Sequence, residues 1–162
     1  MAFVYSRVIR FHETDAAGVV YFANVLTLCH EAYEAALGAA GIDLKTFFSA
    51  AGGVAVPITH AEVDFARPLF CGDAIAIILT PKTLDAHRFE ITYELVYESA
   101  QEPSSVANPD SSASTAGSQL QPLARALTQH VCINTQTRRR HPLTAELVDW
   151  IAALTDAEAA SD

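Results

Sequence analysis

Over residues 87–97, Phe89, Ile91, Tyr93, Leu95 and Tyr97 alternate with Arg88, Glu90, Thr92 and Glu94. A period of two sends one set to each face of a pleated chain, so the stretch predicts a half-buried β-strand. Residues 123–133 read as a second strand, and residues 4–12 have strand-like composition. Ala61, Val63 and Phe65 alternate with Glu62 and Asp64 until Arg67 and Pro68 end the run. Residues 73–80 (DAIAIILT) are nearly all apolar, as in a strand covered on both faces. Five strands are expected.

Between the first two of these strands the period changes to that of a helix. Phe22, Val25, Leu26, Cys29, Tyr33, Ala36, Leu37 and Ala40 recur at intervals of three and four, with Thr27, His30, Glu31 and Glu34 on the opposite side. This predicts one long helix over residues 22–40, which Gly38 and Gly41 help to end. Shorter helices are expected over residues 44–51 and, after Pro142, over 143–154. The order strand, long helix, four strands describes an α+β fold, with an antiparallel sheet packed on one dominant helix. No internal repeat is found.

Composition adds boundaries to this picture. A chain of 162 residues that is 51% apolar and 18% charged has the size of one domain and the means to bury a core. Residues 99–119 depart from the rest: seven serines, two prolines and no aromatic residue predict a mobile loop. Strands flank it, so it tips an antiparallel hairpin within a single domain spanning residues 1–162. A net charge of −9 repels phosphate backbones and argues against a nucleic-acid partner. No apolar run reaches the roughly 18 residues of a membrane span and no signal-peptide run is seen, so a cytoplasmic location is expected. Cys29, Cys71 and Cys132 are widely separated, without a CxxC pair, and read as reduced structural thiols. With no HxxxH or HExxH run, no metal or other cofactor is expected. A nucleophilic serine elbow and nucleotide-cradling glycine loops are also missing.

The segment most suggestive of chemistry is RFHETDAAGVVYFAN, residues 10–24, which joins the first strand to the long helix. Asp15 stands seven residues before Phe22, near a helix start where unpaired amides and the positive dipole end point outward. An acyl oxygen accepting those amides, with Asp15 attacking the carbonyl carbon or activating water beside it, would form a hydrolytic site. Gly18 would allow close backbone approach. The same spacing suits an Asp that only caps the helix or a turn, and generic chemistry does not separate the two.

The string TDAAGVVYFANVLTLCHEAYEAAL closely resembles the signature of hotdog-fold acyl-CoA thioesterases of the 4-hydroxybenzoyl-CoA thioesterase type. HAEVDFARPLFCGD, AHRFEITYEL and LTQHVCI look like the branch that hydrolyses 1,4-dihydroxy-2-naphthoyl-CoA in phylloquinone synthesis of photosynthetic bacteria. The resemblance implies a five-stranded antiparallel sheet wrapped around one long central helix, and an acyl-CoA substrate. It puts the catalytic carboxylate on Asp15 and the amide that binds the thioester oxygen at Phe22, with Gly18, Val20 and Tyr21 in the same turn. It also implies edge-to-edge dimers, associating further into tetramers, with active sites at subunit interfaces.

His60 is a candidate for lining the acyl pocket, against the plainer reading of a surface histidine. The run Arg138, Arg139, Arg140 after the last strand is placed to meet CoA phosphates, or else is a solvated charge run; Arg88 and Arg67 are further candidates on the same grounds. Glu31 lies on the helix's polar face, where a second thioesterase branch carries a catalytic Glu. Here the loop Asp already fits its own branch, so Glu31 reads as a solvated or hydrogen-bonded side chain.

Overall fold

A computed structural model describes residues 2–98 and 122–155. Five strands pair into one antiparallel sheet: β1 (Phe3–Val8), β3 (Ile58–Phe65), β4 (Ala74–Thr83), β5 (Arg88–Tyr97) and β6 (Ala124–Val131), in the spatial order β1-β4-β5-β6-β3. A two-stranded ribbon joins β2 (Val54–Ala55) to β7 (Ile133–Asn134). Three helices complete the described chain: α1 (Phe22–Ala39), α2 (Leu44–Phe47) and α3 (Ala145–Thr155). β5 and β6 are antiparallel neighbours, the pairing expected of two hairpin arms. The Ser-rich residues 99–119 lie outside the described residues.

The predicted periodicities are realised with local departures. On β5, Phe89, Ile91, Tyr93 and Leu95 are buried while Thr92 and Glu94 are exposed. On β4, Ile75, Ile77 and Leu79 are fully buried on one face. Its other face is only partly covered, since Ile78 and Thr80 are half-buried. The first strand stops at Val8 and a 3-10 turn follows at Phe11–Glu13. The expected helix over 44–51 is cut to one turn, because Ser49 accepts the Ala51 N–H at 3.0 Å and starts a separate 3-10 turn, Ala50–Gly52.

α1 has 18 residues and packs against β1, β4 and β6. Its buried face is Val25, Leu28, Cys29, Ala32, Tyr33, Ala36 and Leu37. Burying a leucine such as Leu28 or Leu37 contributes about 1.5–3 kcal/mol, so this stripe is a main tie between helix and sheet. Phe22 was expected on that stripe, but in the first turn it stands outside the core and is 62% exposed. α3 packs on β4 and closes the core with Leu147, Trp150 and Ile151. Cys29 and Cys132 are buried free thiols, whereas Cys71 is a free thiol on the surface. Desolvation pushes the Cys29 pKa up to about 12, as suits an inert core residue.

The sheet leaves β3 as an edge. Nearly every residue of β3 is exposed. Two hollows run between this strand and α1. One, of about 400 Å³, lies between Leu26, Thr27, His30, Glu31 and Ile58, Ala61; the other, of about 330 Å³, is lined by Val19, Val20, Val25, Phe65, Arg67 and Leu69.

Candidate active site

The turn that carries Asp15 is built by local chemistry. Gly18 N–H donates to the Asp15 carbonyl at 3.0 Å and Asp15 N–H to the Val19 carbonyl at 2.9 Å, closing a small hairpin. Thr14 bridges Val20 across it. Asp at the first position of a turn and Gly at the fourth are its preferred residues, and Gly18 sits at φ 78, where a side chain would be strained. Asp15 Oδ1 accepts the Ala17 N–H at 2.8 Å. So Asp15 does cap a turn, but with one oxygen. Its Oδ2 has no hydrogen-bond partner among the described residues, and the residue is exposed.

The start of α1 is unusually open. Tyr21 is the N-cap residue and makes no side-chain cap, and the first turn holds no acidic residue. Tyr21 N–H donates to the Glu13 carbonyl at 2.9 Å and Asn24 N–H to the Tyr21 carbonyl at 2.8 Å. Among the described residues the Phe22 and Ala23 amides have no acceptor. Free amides at the positive end of a helix are suited to an oxyanion.

Turn and helix start are joined through Glu13, which sequence reading passed over. Its carbonyl accepts Tyr21 N–H and also Asn24 Nδ2, both at 2.9 Å. Its carboxylate takes the Arg10 N–H at 2.7 Å on Oε2 and the Arg7 guanidinium at 2.5 Å on Oε1. Arg7 reaches from β1 and also donates to Glu31 on α1. Glu31 is therefore ion-paired. Glu13 is only 6% exposed. A sequence signal for the Arg7 pair was available in the inward parity of Arg7 next to an acidic residue six positions on, but nothing local singles it out.

Val20, Phe65 and Arg67 meet in the 330 Å³ hollow beside the Asp15 turn. Phe70 is bridged to Val19, and the rings of Tyr21 and Phe22 lie 4.7 Å apart. Phe11, Tyr21, Phe22, Phe65 and Phe70 are all exposed. Other candidates are not brought to this place. His60 stands on the strand face opposite Ala61 and Val63, 3.3 Å from Glu62 Oε2. Arg88 is held at 2.7 Å by Asp85, an ion pair across the β4–β5 turn. Arg138, Arg139 and Arg140 form an exposed turn after β7, in which Asn134 N–H donates to the Arg139 carbonyl and Arg138 adopts φ 60. Arg138 lines a separate hollow with Phe47, Phe48 and Ile133.

Among the described residues no group of three or more His, Cys, Asp or Glu is placed to hold a metal ion, and no helix is long and apolar enough to cross a membrane. What the arrangement offers is a carboxylate oxygen and open amides at a helix start, two elements of acyl transfer.

Comparison with known proteins bears on the same region. A model of the thioesterase-like superfamily matches residues 9–151. The 1,4-dihydroxy-2-naphthoyl-CoA hydrolase of Rippkaea orientalis is 47% identical over 154 residues, covering 95% of this chain and 98% of that one. That of Synechococcus elongatus is 45% identical over 152 residues, 94% of this chain and 96% of its own. The crystal structure of a 1,4-dihydroxy-2-naphthoyl-CoA thioesterase from Synechocystis superposes with a TM-score of 0.77 at 35% identity, covering 95% of this chain and 98% of that one. Sequence and fold agree along nearly the whole length, and the chain belongs to the thioesterase-like superfamily of hotdog-fold proteins.

Proposed function

We propose that the chain hydrolyses 1,4-dihydroxy-2-naphthoyl-CoA to 1,4-dihydroxy-2-naphthoate and CoA, a step of phylloquinone synthesis, in the cytoplasm and without metal or other cofactor. The observation that carries this reading is the free Oδ2 of Asp15 in a turn tied to a helix start whose Phe22 and Ala23 amides are open. Similarity to hydrolases of that name along nearly the whole chain supports the substrate.

In this reading the sheet wraps α1 as its central helix, and residues 1–162 form one such domain. The thioester oxygen accepts the Phe22 N–H, which draws electrons from the carbonyl carbon. Asp15 attacks that carbon, the C–S bond breaks, CoA leaves as thiolate and takes a proton from solvent, and water hydrolyses the mixed anhydride. Activation of a water by Asp15 uses the same placement; trapping of an acyl-enzyme in a single turnover distinguishes the two routes. Gly18, Val20 and Tyr21 shape the approach, and the exposed Phe65 and Phe70 suit an aromatic acyl group. Arg138, Arg139 and Arg140 meet the phosphates of CoA, with Arg88 and Arg67 as weaker candidates for the same role.

The position of β3 at the end of the sheet, with nearly all its residues exposed, supports edge-to-edge pairing with a second copy, in a dimer or tetramer with active sites at the interface. Sedimentation should therefore give two or four copies; a monomer with full activity removes the shared-site reading.

A thiol-release assay on a panel of CoA esters tests the function. The expected result is highest kcat/KM for the dihydroxynaphthoyl ester, above 4-hydroxybenzoyl and short aliphatic esters. Preference for aliphatic chains removes the naphthoyl assignment. Saturable ester binding without thiol release makes the protein an acyl-CoA binding module.

A further inference from the structure

We propose that Glu13 is a positioning residue for the hydrolytic site, holding the Asp15 turn and the open amides of α1 in register through its carboxylate and its carbonyl together. The proposal rests on the thioesterase reading above and adds to it a group that touches neither substrate nor reacting atoms.

Glu13 makes five contacts to three pieces of the fold. Its carbonyl accepts Tyr21 N–H and Asn24 Nδ2, so it occupies the donors on either side of Phe22 and Ala23 while leaving those two amides open. Its Oε2 closes the turn before it by accepting Arg10 N–H, and its Oε1 meets Arg7 on β1. The fifth contact is the backbone donation from its own N–H to the Arg10 carbonyl at 3.0 Å. Only Thr14 separates it from Asp15. Arg7 is in turn shared with Glu31 on α1, so strand, turn and helix meet at one guanidinium.

Stability is a poor reason for such an arrangement. Desolvating a carboxylate and a guanidinium costs about as much as their attraction returns, and apolar replacements of similar shape are often as stable. What a buried, fully hydrogen-bonded ion pair does well is allow one geometry. That matters here because the carboxylate and the amides come from separate segments, and a displacement of about 1 Å between reacting groups costs on the order of a hundredfold in rate.

The test compares Glu13→Gln with Glu31→Gln, each of which removes one carboxylate from Arg7. Only the first touches the turn. Turnover of the unaltered chain, thermal stability and the kcat-against-KM split are measured for all three. The expected result is a kcat for Glu13→Gln lowered on the order of 10- to 100-fold with KM within about threefold. With rates taken per folded enzyme, well below each melting temperature, Glu31→Gln should lower the melting temperature and leave kcat within about twofold, since loss of a partly exposed ion pair away from the turn does not move the reacting groups. Glu13→Asp should recover part of the loss. Where Glu13→Gln does not fold, Asn24→Ala decides: it removes only the Nδ2 bond to the Glu13 carbonyl and should lower kcat at unchanged KM. Unchanged kcat in Glu13→Gln, or in Asn24→Ala as its substitute, overturns the positioning role while the thioesterase reading stands. Absence of turnover in the unaltered chain overturns both.

Discussion

Replacing Asp15 with Asn should leave a folded, correctly assembled protein that has lost about a thousandfold or more in thioester turnover, the range for removal of an essential base or nucleophile. The substitution is unusually clean. Asp15 contributes to folding through Oδ1, which accepts the Ala17 N–H, and through backbone bonds to Gly18 and Val19. The amide oxygen of Asn accepts the same N–H, and Asn is itself a favoured turn residue, so the hairpin persists. Only the free, charged oxygen is lost, and with it both routes to the carbonyl carbon. Circular dichroism and sedimentation check the fold, and thiol release checks turnover. Near-normal hydrolysis by the folded variant would end the assignment of Asp15 and make Glu31→Gln the next substitution, although the pairing of Glu31 with Arg7 speaks against that role.

The second large effect concerns stability. His130 is 1% exposed, stacked on Phe89 with ring centroids 4.7 Å apart, and hydrogen-bonded to Thr128 Oγ1 at 2.8 Å. Burial lowers its pKa to about 4 from an ordinary 6.5, with the charge of His30 on α1 in the same direction and a backbone contact to Val56 opposing it. The neighbouring Tyr33 of α1 stays neutral, since burial raises its pKa well above 10. The unfolded chain therefore binds a proton at His130 below pH 6.5 that the folded chain refuses until about pH 4. The contribution of the neutral histidine is fully present above pH 6.5, falls as pH drops through that window, and is lost below it. A difference of that size corresponds to about 3 kcal/mol.

Urea unfolding of the unaltered chain and of His130→Phe, at one protein concentration from pH 4 to 7.5, isolates this term from the carboxylates common to both. The stability difference between them should shift by about 3 kcal/mol in favour of the variant as pH falls. A difference independent of pH would mean that His130 is not held neutral by the core.

His130 illustrates the limit of the sequence. The run over residues 123–133 was legible as a strand, and its period of two puts Ala124, Ala126, Thr128 and His130 on one face. Which face is inward depends on its pairing with β5 and β3, and a histidine between Gln129 and Val131 does not announce a buried position. For the same reason His60, offered as a pocket residue, lies on the face of β3 away from Ala61 and Val63. The arginines divide similarly. Arg67 reaches the hollow beside Val20 because β3 ends there, while Arg88 is taken up by Asp85 three residues earlier.

By itself the sequence determined the main elements. Alternation and the 3.6-residue repeat depend on neighbours a few positions away, so the helix expected over residues 22–40, which ends at Ala39, and the five sheet strands were readable without a fold, whereas the β2–β7 ribbon and the Asp15 hairpin were not. Only the tertiary structure decided that β3 is an exposed edge, that Arg7 lies under α1, and that Glu13 joins the Asp15 turn to an uncapped helix start. Those facts come from pairings between residues remote along the chain and from exclusion of water around them, and no local pattern encodes either.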